Sequence, residues 1–181
     1  RVDIDDLLAK AEQFYQTNIE TLKMVEVGQG KSYLDDYKMQ IYILYQTEWL
    51  ATGSGYDNTI GALWVNPSTC QPVGSTIAHE IGHSFQYQVS CDKIKQGLAN
   101  ELFDGNGWSI GYDRGFRYGY AEGGAGGNGF WEQCAQWQSF QDYPAEAYAA
   151  SNINVWLPNY HRHFNHESMR SPSYWFQYYW I

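Results

Sequence analysis

Between Ser75 and Gln88 the chain reads STIAHEIGHSFQYQ, with His79 and His83 four residues apart and Glu80 directly after the first. On an α-helix, residues i and i+4 project from nearly one face, one turn apart, so both imidazoles can offer a nitrogen to one cation. Glu80 lies about 100° round the helix, which puts its carboxylate beside an open coordination position and outside the ligand set. Zinc held by two histidines needs a third protein ligand and, to be catalytic, one position left for water. The pKa of that water falls toward ~7, and a neighbouring carboxylate can take its proton as it attacks a carbonyl. The pattern therefore predicts zinc as cofactor, His79 and His83 as ligands and Glu80 as general base.

The third ligand has to come from elsewhere. A glycine three residues after His83 and a histidine three beyond it would give the astacin and matrix-protease arrangement, but Gln86 and Val89 stand there. Glu132, in GFWEQCAQW, heads the remaining candidates because it opens a helical pattern just after a glycine-rich stretch. Glu101, Asp104 and Glu122 stay open as alternatives. Gln136, one turn past Glu132, can hydrogen-bond a ligand histidine from behind. Hydrolysis also needs a donor for the developing oxyanion. His163 and His166 in HRHFNH lie one turn apart and can share a face, with Tyr118 and Tyr120 as alternatives, whereas His161 diverges from His163. DGNG (104–107) lacks the later ligands of a calcium loop and reads as a turn.

The elements that must position these residues are partly legible. Leu7, Leu8, Ala11 and Phe14 recur at helical spacing in an opening helix over 3–22. KMQIYILY (38–45) and GALWVNP (61–67) read as strands, the second open between an edge strand for an extended substrate and a core strand. A helix is predicted over 76–89, a long glycine-rich loop over 104–129, a helix over 130–141, and further helices near Pro144 and Pro158. The final SPSYWFQYYWI is apolar on every side, which predicts burial and a chain that continues, or further protein packing, near 172–181.

Composition narrows the function classes. At 181 residues the chain predicts one domain with a sizeable core. A net charge of −9 argues against nucleic acid, whose phosphates need a basic footprint. No apolar run is long enough to span a bilayer, and no basic-then-apolar leader follows Arg1, so any export signal is expected to have been removed. Cys70, Cys91 and Cys134 form no CxxC pair; a Cys70–Cys91 bridge and three buried thiols are equal alternatives. The surplus of Tyr and Trp suits sugar or peptide contact as well as core filling.

AHEIGHSFQYQ with the downstream FWEQCAQW resembles the gluzincin class of zincin metallopeptidases, and is similar to secreted bacterial proteins of uncharacterised function. The likeness runs from about Gly61 to Trp180 and includes GFRYGY and NYHRHFNHESMR. It implies an α+β, zincin-like fold: a mixed sheet on the His79–His83 helix, then a mainly helical second half. It further implies zinc held by His79, His83 and Glu132, Glu80 as base, secretion, and a peptide, protein or glycoprotein substrate. The aspartate that many gluzincins carry one turn past the third ligand is Gln136 here. Two other functions stay open: a non-catalytic glycan- or protein-binding module with a structural metal or none, and a zinc amidase acting on a non-peptide amide.

Overall fold

The structure, a computed structural model, describes residues 2–99, 128–162, 169 and 172–180. Its internal contacts divide the chain into two compact units, Arg1–Leu102 and Phe103–Ile181.

The first unit opens with α1 (Ile4–Gln16), capped by Asp3, whose Oδ1 accepts the Asp6 N–H at 3.1 Å. Leu7 and Phe14 are buried, whereas Leu8 is exposed and lines a groove of about 470 Å³ with Tyr15, Leu34, Met39 and Ile41. The helix is shorter than its sequence pattern predicts. The buried Asn18 amide donates to the Phe14 carbonyl at 2.9 Å and the chain loosens into a π-turn over Thr17–Thr21.

Three strands follow: β1 (Gln40–Ile43), β2 (Ala51–Tyr56) and β3 (Ile60–Val65). β3 lies between the other two, parallel to β1 and antiparallel to β2. Of the two readings open for GALWVNP, edge and core, this decides for the core strand. Ile60, Gly61, Ala62, Leu63 and Val65 are all buried, the unalternating pattern of a strand covered on both faces. Among the described residues the edges are β1 and β2, and β2 (ATGSGY) has no apolar alternation to betray it. Its hairpin to β3 turns through Asp57 and Asn58, with φ of 52° and 53°, and the Thr59 N–H donates to the Tyr56 carbonyl at 3.1 Å.

The motif helix, α2 (Ser75–Lys95), has 21 residues and so runs about 31 Å, longer than the predicted 76–89. It is buried nearly all round its middle, from Ile77 to Gln88. A polar stripe at four-residue intervals fastens the sheet to it. Glu80 accepts the Gly53 N–H at 2.7 Å, Ser84 Oγ donates to the Ala62 carbonyl at 2.8 Å, and Gln88 Oε1 accepts the Gly61 N–H at 2.8 Å. One turn on, Asp92 accepts from Gln88 Nε2 at 2.8 Å and from the Tyr33 N–H at 3.0 Å. Glycine lets the strands come this close: a Cβ on Gly61 would stand 2.4 Å from the Ser84 carbonyl oxygen, and one on Gly55 1.7 Å from the Tyr87 ring.

The second unit is helical in its described residues: α3 (Asn128–Asp142), α4 (Pro144–Ala147), α5 (Ala150–Trp156) and α6 (Trp175–Trp180). Phe140, Ala147 and Tyr174 form its core, with Trp137 and Trp175 packed against them and the Tyr174 hydroxyl donating to the Ala147 carbonyl. Where a helix is predicted to begin near Pro158, the described residues 158–162 form turns, with the Arg162 N–H donating to the Asn159 carbonyl at 2.8 Å; residues 163–168 of that prediction lie outside the described residues. The expected burial of the last segment holds, among its described residues, for Ser173, Tyr174 and Gln177, whereas Tyr178, Tyr179 and Trp180 stand exposed. The chain is thus α+β, a small mixed sheet packed on α2 followed by a helical unit. Among the described residues no helix is long and apolar enough to cross a membrane.

Candidate metal centre

His79 and His83 project from α2 as their spacing predicts. Their rings meet edge to face, with centroids 4.8 Å apart and planes at 83°, and their Nε2 atoms lie 3.1 Å from each other. Two ring nitrogens that close cannot both present bare lone pairs to one another; either one carries a shared hydrogen or both face a cation. Two nitrogens bound to one tetrahedral zinc at its usual bond lengths would stand about 3.3 Å apart. The donor pair therefore fits zinc.

His83 is buried, and its other nitrogen, Nδ1, is 2.9 Å from Gln86 Oε1. An amide oxygen only accepts, so Nδ1 carries the hydrogen and Nε2 keeps its lone pair. Gln86 is itself buried, one helical turn beyond His83. The sequence reading gave a role of this kind to Gln136, which is half-buried on α3 in the other unit. The hydrogen bond to His83 is made instead by Gln86, a residue that spacing alone had only ruled out as a ligand.

Glu80 is half-buried, and its Oε2 accepts the Gly53 N–H of the edge strand. Gly53 reaches this position because it has no side chain. A Cβ there would lie 1.7 Å from the Glu80 carbonyl oxygen and 2.9 Å from the His83 Cβ. Sequence reasoning missed Gly53 together with its strand; the Asp57–Asn58 turn dipeptide was the available signal for a hairpin.

Glu132 stands one turn inside α3, half-buried, with fully buried Gln133 and Ala135 beside it. His161 is exposed in the turn after α5, its ring against Tyr160. The proposed oxyanion donors His163, His166, Tyr118 and Tyr120, and the alternative ligands Glu101, Asp104 and Glu122, lie outside the described residues. Cys70 and Cys91 are both buried free thiols, so the bridge considered from the sequence is not formed.

No curated protein and no solved structure matches the chain with significance. A family does match, over residues 1–181, and the chain belongs to it: the family of unknown function DUF6055.

Proposed function

We propose that this chain is a zinc-dependent hydrolase of peptide bonds, with protein or glycoprotein chains as its substrate class. The observation that carries the reading is the 3.1 Å approach of the His79 and His83 Nε2 atoms on the helix that also carries Glu80, whose carboxylate is held by the Gly53 N–H. Bound zinc supplies Lewis acidity, acidifying water and polarising a carbonyl. Glu80 takes the proton from the attacking water at its carboxylate and delivers it to the leaving nitrogen. The Gly53 N–H orients that carboxylate before substrate arrives. Glu132 completes the ligand set in this proposal, supported by its place near the start of a helix that follows a glycine-rich stretch. His163, His166 and Tyr118 are the proposed donors to the oxyanion.

Metal analysis of the purified protein, coupled to turnover of peptide, glycopeptide and simple amide panels, tests the reading. The expected result is one zinc per chain and peptide cleavage that Glu80→Gln abolishes while keeping the metal. Absence of zinc, or unchanged turnover in the variant, overturns it; cleavage confined to non-peptide amides makes the protein an amidase.

One observation favours a second reading, a glycan-binding module. Tyr42 and Trp64 stack at 5.3 Å and 16°, Tyr56 lies 6.3 Å from Tyr42, and register puts Thr52 and Ser54 on the same sheet face as this row. Aromatic faces edged with hydroxyls suit a sugar ring. Glycan binding that survives metal removal and Glu80→Gln, with no hydrolysis, would establish it.

A further inference from the structure

We infer that Gln86 is a positioning residue for the metal: its amide oxygen locks His83 in the tautomer that offers Nε2 to the cation. The inference rests on the zinc reading above and adds to it a residue outside the H-E-x-x-H pattern. A neutral imidazole carries its proton on one nitrogen, and the partner of the other nitrogen decides which. The orientation of the Gln86 amide therefore determines whether His83 can serve as a ligand. With Oε1 toward the ring, 2.9 Å from Nδ1, the lone pair lies on Nε2, facing His79. With the amide reversed, its N–H would require a lone pair on Nδ1, and Nε2 would bear a hydrogen where the metal should bind.

Burial gives the lock its strength. His83 and Gln86 are each only 6% exposed, so bulk water competes poorly for either group. Both sit on one turn of α2, so the pairing is set within the helix. An amide delivers this orientation without adding a negative charge behind the ligand, as the carboxylate in this role commonly does.

Long-range proton–nitrogen correlation spectra of ¹⁵N-histidine-labelled, metal-free protein read the tautomer directly, and zinc competition against a chromophoric chelator reads affinity. Wild-type His83 should carry its proton on Nδ1. Gln86→Met should give mixed tautomers and zinc binding weaker by about 10–100-fold. Gln86→Glu, which still accepts from Nδ1, should restore both. Circular dichroism checks folding, and if Gln86→Met unfolds, the wild type and Gln86→Glu still decide the matter. A wild-type proton on Nε2 overturns the lock, as does a folded Gln86→Met with unchanged tautomer and affinity. A wild type that takes up no zinc overturns the metal role of both residues, whereas the tautomer, measured without metal, judges the lock separately.

Discussion

The Gly53 amide and the Glu80 carboxylate, 27 positions apart in the chain, meet at 2.7 Å across the packing of edge strand β2 on α2. The same glycine supplies the hydrogen bond and, by lacking a side chain, the space in which to make it. Backbone and base are thereby tied together, so movement of β2 moves the carboxylate proposed to handle the proton.

Gly53→Ala should test this tie. The new methyl meets a helix carbonyl and the Cβ of His83, neither of which can rotate away. Overpacking of that kind costs about 1–3 kcal/mol. Denaturant unfolding should register this loss, with weaker zinc binding in the fraction that stays folded. Stability within about 0.5 kcal/mol of wild type would mean the strand can lift without consequence.

Glu132→Ala addresses the third ligand. Loss of a direct ligand should weaken zinc by more than the about 10–100-fold that removing an outer partner costs. Circular dichroism should be unchanged, because Glu132 is only half-buried. Undiminished zinc in chelator competition would shift the assignment to Glu101, Asp104 or Glu122.

The loop before β1 should loosen in acid. Asp35 accepts the Gly28 N–H and, at 2.6 Å, the Gly30 N–H; these bonds, the Gly28 one first, with Ser32 and Lys95 adding, hold its carboxyl below the ordinary 3.8. A depressed folded-state value means that the ionised group stabilises the loop above pH 3.8, and that this is lost as pH falls through the lower value. Carbon NMR of the Asp35 carboxyl should titrate below 3.8, with the Gly28 and Gly30 amide shifts following. An inflection at or above 3.8 would remove these bonds from the solution structure.

The cysteines should resist alkylation while the protein is folded. Burial, and then Asp92, pushes the Cys91 thiol up to about 12, and burial alone pushes Cys134 to about 12. At pH 8 the thiolate fraction of each is then on the order of 10⁻⁴. Iodoacetamide followed by mass spectrometry should modify neither until denaturant is added, after which all three cysteines should react. Failure of Cys70 and Cys91 to react in denaturant without reductant would reveal a bridge between them.

The His79–Glu80–His83 arrangement was legible because a helix converts local spacing into shared direction, and nothing distant can alter the offset of i and i+4 on an intact helix. The run Ile60–Val65 was legible as a strand for a similar reason, since β-branched and aromatic residues mark it locally. That it lies between two partners was not legible, because strand order is set by pairing between segments. β2 escaped notice because its glycines were chosen by their neighbours on α2: Gly53 answers to Glu80 and His83, and Gly55 to Tyr87. The sequence by itself therefore determined which side chains can converge on one cation and which carboxylate stands beside them. Only the tertiary structure decided which edge strand holds that carboxylate, because a backbone amide carries no signature in the residue that bears it. It likewise decided that Gln86 faces His83 Nδ1, because the direction of an amide depends on packing that spacing does not encode.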